Sequence, residues 1–163
     1  MFLPAEKMFK SIRIVLTHGI ALAVGFALGI YLLPILIAPD APSDEAVSSN
    51  MQQAMFKTRF TRELPGSDFL HWGEGEVSIS ENRIGFTGSL APGPDYQIYL
   101  TRELALDEQS FLRIKDQAAR IGAVKTFDNF LIDIPAGINP EDYNAIIVWC
   151  ETFAEFITAA SYR

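Results

Sequence analysis

Only one cysteine, Cys150, and two histidines, His18 and His71, occur in the 163-residue chain. A single thiol makes no intramolecular disulfide, and no second cysteine completes a CxxC redox pair or a zinc knuckle. His71 is the only histidine beyond the N-terminal apolar run and cannot alone build a histidine metal cluster; HExxH and EF-hand spacings are missing. There is no GxSxG, and GEGEV at 73–77 lacks the glycine count and the following helix of a phosphate-cradling loop. Hydrolase chemistry therefore has no visible nucleophile–base pair. Positive charge is also scarce: 13 Lys and Arg face 20 Asp and Glu, for a net charge of -7. The charged residues before position 40 (Glu6, Lys7, Lys10, Arg13) sum to +2, so the remainder carries -9. An acidic domain lacks the cationic footprint that nucleic-acid binding needs, and its charge opposes docking on anionic lipid.

What is abundant is apolar sequence near the N-terminus. Residues 14–39 contain no Asp, Glu, Lys or Arg. At a rise of ~1.5 Å per residue, a helix over 14–37 is about 36 Å long, enough to cross a hydrocarbon core of ~30 Å with some tilt. A cleavable signal peptide would have a shorter apolar core, and the small-residue sites Ala38 and Ala41 are each followed by proline. The run reads as an uncleaved signal anchor over 14–38, after a basic tail over 1–13. Lys7, Lys10 and Arg13 precede it and Asp40, Asp44 and Glu45 follow, so the positive-inside rule puts the N-terminus in the cytoplasm. In a bacterium this predicts a single-pass inner-membrane protein with a periplasmic or extracellular C-terminal domain. Within the run, Gly25 and Gly29 have small-xxx-small spacing, and His18 lies about one turn inside the basic end. Chance spacing and a headgroup-reaching imidazole account for both.

Residues 40–50 (DAPSDEAVSSN) read as a flexible linker, within a boundary region of 39–55. Residues 51–62 fit a short helix or a first strand. The domain over 56–163 then shows period-two alternation in EVSIS, RIGFT, YQIYLT, FLRIK and FLIDI. EVSIS and RIGFT, separated by Glu81 and Asn82, predict a hairpin, with Asn tolerating a positive φ. AIIVWC at 145–150 is apolar throughout, as in a strand buried on both faces. Residues 104–109 and 153–160 are candidates for helical turns. Short strands between Gly/Pro/Asn/Asp turns predict a mainly β, antiparallel sandwich or barrel.

Cys150 closes the apolar strand. If Ile146 and Val148 face the core, alternation places Cys150 there, where a thiol acts as a small hydrophobe with a high pKa. The sharper alternative is a thiolate that ligates a metal or cycles through oxidation states. His71 is then its candidate partner, with Asp68, Glu74 and Glu76 near it in sequence. One Cys with one His is too few for zinc but conceivable for copper or haem iron.

Several segments taken together resemble the DM13 domain family. GSDFLHWGEGEV at 66–77 is similar to its opening D..H...G.v motif, through Asp68, His71, Gly75 and Val77. GPDYQIYL at 93–100 resembles its central GPD..vyL motif, and Ile134–Pro135 resembles the family's strand end. IVWCETF at 147–153 is similar to the closing viWC..F motif. The chain departs from the family at 127–131, FDNFL, where members often carry a Gly/Asn/Gln-rich turn. The resemblance covers roughly 57–163. It implies a sandwich-like extracytoplasmic domain with an electron-transfer or redox role, Cys150 as the redox residue and His71 as the next functional candidate. The implied partners are the membrane and a membrane redox protein. The other reading of the residues is a non-catalytic β module that binds a protein or a cell-envelope component.

Overall fold

A computed structural model describes residues 5–163; the first four residues of the basic tail lie outside the described residues. Helix α1 (Ala5–Ile37) runs for 33 residues and therefore takes in the rest of the tail as well as the apolar run. It is long and apolar enough to cross a membrane, with a mean hydropathy of 2.5 and no burial in its most apolar window. Apolar side chains exposed all round have no protein core to enter, which is the pattern of a helix solvated by lipid. The helix ends at Ile37, where the coming Pro39 disfavours helical backbone in Ala38.

The stretch read as a flexible linker is largely ordered. Helix α2 (Asp44–Gln52) starts at Ser43, whose Oγ accepts from the Ala46 N–H at 3.3 Å, and Asp44 and Glu45 complement its N-terminal dipole. It buries Val47 and Asn50, and Asn50 Nδ2 donates to Ser78 Oγ at 2.9 Å. Composition hid this helix because only those two of its residues are buried.

Eight strands follow: β1 (Phe56–Phe60), β2 (Gly73–Ile79), β3 (Arg83–Leu90), β4 (Tyr96–Thr101), β5 (Ala119–Val124), β6 (Phe130–Asp133), β7 (Ala145–Cys150) and β8 (Glu155–Ser161). They form two antiparallel four-stranded sheets, ordered β1-β2-β3-β6 and β5-β4-β7-β8. Inward residues of both sheets (among them Phe60, Ile79 and Phe86 from one, Ile98, Ile146 and Val148 from the other) share one core, so the sheets pack as a sandwich. Phe86 sits between Phe60 and Phe130, with ring centroids 5.7 and 4.9 Å away. Each such buried ring contributes about 1.5–3 kcal/mol relative to exposure.

The β2–β3 hairpin forms as expected, with Ile79 opposite Ile84. Its turn does not use a positive φ at Asn82; the Ser80 N–H instead bonds Arg83 O at 2.9 Å. FLRIK is not a strand. Its residues fall in α3 (Glu108–Ile114) and the short 3-10 turn that follows, and α3 starts at a capping box between Asp107 and Ser110. The segment 153–160, read as helical turns, is mostly β8, because Phe156, Ile157 and Ala159 each find a buried position against β7. Strand β7 is buried on both faces: Ile146, Val148 and Cys150 face the sandwich core, while Ile147 and Trp149 face a second cluster under α3. There Phe111 of α3 packs on Trp149 with centroids 4.9 Å apart.

Candidate functional site

Cys150 is the last residue of β7, in register with Tyr96 at the start of β4 and Glu155 at the start of β8. Three loops meet at this end of the sandwich. The first joins β3 to β4 and contains Gly93, Pro94 and Asp95. Cys150 Sγ–H donates to Pro94 O at 3.1 Å, and the Glu151 N–H bonds Asp95 O at 3.1 Å. A side chain on Gly93 would collide with the Tyr96 ring and hydroxyl, so the close approach of this loop requires glycine. The second loop is the turn from β7 to β8, whose Phe153 and Thr152 N–H groups point at the sulfur. Asp95 (φ 52°) and Ala154 (φ 54°) are the two non-glycine residues with positive φ among the described residues, one in each of these loops. Left-handed backbone is costly for alanine and more readily adopted by aspartate, and strained positions collect at functional sites.

Cys150 as a residue is 2% exposed. Burial pushes the Cys150 thiol pKa up, and the Asp95 and Glu155 carboxylates add to this; the Phe153 and Thr152 N–H groups act in the opposite sense but are outweighed. The resting form is thus a hydrogen-bonded thiol, with two donors in place for the thiolate.

The third loop precedes β2 and carries His71. Asp68 Oδ1 accepts from the Leu70 and His71 N–H groups at 2.7 and 2.8 Å, and Asp68 Oδ2 lies 3.0 Å from His71 Nδ1. A carboxylate only accepts, so Nδ1 carries the hydrogen and Nε2 is the position that takes up a proton. Burial raises the Asp68 pKa, but the hydrogen bonds from His71 and from the two backbone N–H groups together outweigh it and lower the pKa overall. Of the three acids near His71 in sequence, the fold selects Asp68; Glu76 pairs with Arg59 across to β1. The i,i+3 spacing of Asp68 and His71 was the available signal.

His71 and Cys150 line one pocket of about 450 Å³, together with Leu70, Pro94, Tyr96 and Phe153. The structure thus brings the two candidate residues to a common, mostly apolar cavity. A larger cleft of about 680 Å³ lies at the opposite end, beside the β2–β3 turn, and contains neither cysteine nor histidine. Behind Cys150, on the outer face of the sheet, Glu151 accepts hydrogen bonds from Tyr99 Oη and, at 2.6 Å, from Lys115 Nζ. Burial raises the Glu151 pKa, but the Lys115 and Tyr99 hydrogen bonds outweigh it and hold the carboxyl below its ordinary value. Lys115 also lies 5.2 Å from the Trp149 ring centroid. No sequence pattern marks this cluster, whose members are up to 52 residues apart.

Copper or haem iron was one reading of Cys150 with His71. Among the described residues no group of three or more His, Cys, Asp or Glu is placed to hold a metal. One thiol and one imidazole fall short of the His2Cys set of a type-1 copper site. The residues present do not fit a type-1 copper site.

The chain is thus a small antiparallel β-sandwich behind a long apolar helix, with a buried thiol framed by three loops at one end. Residues 60–162 match the model of the electron transfer DM13 family. The chain belongs to the DM13 family. No curated protein and no solved structure matches it.

Proposed function

We propose that this protein is a membrane-anchored electron-transfer module in which Cys150 is the redox centre and His71 its proton partner. One observation carries the reading: the segments that resemble the DM13 motifs, remote in sequence, converge on one sulfur. Pro94 O accepts its hydrogen, Thr152 and Phe153 N–H face it, and His71 lines the pocket beside it. One-electron oxidation of the Cys150 thiol to a thiyl radical, with the electron passing to an oxidised membrane redox partner, also releases the thiol proton. His71, with Nδ1–H held by Asp68, is a suitable acceptor through Nε2. In this reading α1 crosses the membrane once, with Lys7, Lys10 and Arg13 on the cytoplasmic side and the sandwich outside, the periplasmic side in a bacterium. The tether keeps Cys150 at high effective concentration near a membrane redox partner.

The test is thiol chemistry on the intact chain in lipid nanodiscs. Reversible oxidation of Cys150 by a membrane-permeant oxidant, slowed in His71→Ala, supports the proposal. A Cys150 that reacts only after denaturation overturns it. That outcome would favour a non-catalytic β module binding a protein or envelope partner, a reading supported by the near-complete burial of Cys150.

A further inference from the structure

The domain is acidic and its core is closed, yet three large apolar side chains stand exposed around the mouth of the Cys150 pocket. Phe69 is 92% exposed, Leu70 49% and Phe153 47%. Leu70 and Phe153 line the pocket itself, and Phe69 adjoins Leu70 in the His71 loop. Apolar side chains clustered at one rim mark a binding surface more often than scattered ones do.

What lies beside that rim identifies what covers it. The same pocket is lined by Ala27, Leu28, Ile30 and Tyr31 of α1. Arg13 is the last charged residue of the helix. Some 20 residues cross a hydrocarbon core of ~30 Å, so a span that starts after Arg13 reaches the far surface at about residue 33. Ala27–Tyr31 would then lie only about 3–9 Å below that surface, at ~1.5 Å per residue. Side chains that share a pocket with this turn sit at the boundary between headgroups and acyl chains, the level that aromatic residues prefer.

We propose that the end of the sandwich carrying His71 and Cys150 is seated in the bilayer leaflet on its own side, with Phe69, Leu70 and Phe153 inserted and the pocket open to the lipid phase. The inference rests on the reading of α1 as a membrane anchor. It deepens that reading: a redox partner of Cys150 approaches from within the membrane rather than from bulk water. The seating is apolar, not electrostatic, because the chain from residue 40 onward carries -9, and it is insensitive to salt.

The experiment uses the full chain in nanodiscs of zwitterionic lipid. Nitroxide labels are placed one at a time at Phe69→Cys, Phe153→Cys, Leu22→Cys and Glu141→Cys in a Cys150→Ala background. Oxygen and a water-soluble nickel chelate report lipid and water exposure. The expected result is preferential oxygen access at 22, 69 and 153, preferential nickel access at 141, and no change with salt. Nickel access at 69 and 153 with oxygen access at 22 overturns the seating and leaves the anchor intact. Nickel access at 22 overturns the anchor and the seating together. Exclusion of both relaxants at 69 and 153 means that protein covers the rim, and also overturns the proposal. In the unmutated chain, acyl-brominated lipid should quench Trp72, one residue from His71; unchanged fluorescence contradicts the seating without any substitution.

Discussion

The sulfur of Cys150 has an acceptor for its hydrogen in Pro94 O and two donors, Thr152 and Phe153 N–H, for its lone pairs. The thiol is favoured at rest because burial penalises the anion. Alkylation by a small uncharged reagent should therefore keep accelerating past pH 9, the ordinary thiol value, when the rate is followed by mass spectrometry. A rate that levels off below pH 8 would contradict this account of the site. Cys150→Ala leaves the backbone donors without an acceptor and should cost about 1–3 kcal/mol in unfolding experiments, with Cys150→Ser recovering part of it. Asp68→Asn should leave stability nearly unchanged, since Asp68 is exposed, but should slow Cys150 oxidation by releasing the His71 tautomer that Asp68 holds.

At the scale of elements, β7 is held from both sides, by the sandwich core and by α3. Phe111→Ala removes the ring that packs on Trp149 and should destabilise the domain by about 3–5 kcal/mol, read as a lowered thermal midpoint. The Glu151–Lys115 contact fixes the segment after Cys150 to α3 and the turn that follows it. A carboxyl with a folded pKa below its unfolded value adds stability above the unfolded value, near 4.5, and loses it as pH falls through the folded one. Glu151→Gln should therefore flatten the loss of thermal stability below pH 4.5. The period-two pattern made β2, β3, β4 and β6 legible, because their core-facing apolar residues alternate, and the unbroken apolar run made β7 legible as a strand buried on both faces. α3 was misread because FLRIK satisfies a two-residue and a helical period equally, although the Asp107–Ser110 cap lay just before it. β5 passed unnoticed, since Arg120 and Gly122 interrupt its apolar residues. Cys150 and His71 were legible as the chemically distinctive side chains. Pro94 was not, because it acts through its carbonyl, which every residue possesses.

For the whole molecule, the account joins a long apolar helix, a closed sandwich and one thiol at the end nearest that helix. The helix alone predicts that the chain stays with membranes through alkaline extraction, as a spanning segment does and a peripheral one does not. The central claim is that Cys150 is a working redox thiol reached through its pocket. The most direct measurement compares a lipid-soluble and a membrane-impermeant, charged thiol reagent on the native chain in nanodiscs, with the extent of Cys150 modification read by mass spectrometry. The expected result is modification by the lipid-soluble reagent under native conditions, little by the charged one, and a slower reaction when the rim is closed by Leu70→Trp. Modification by either reagent only after unfolding would contradict it, and would leave Cys150 as a residue of the core.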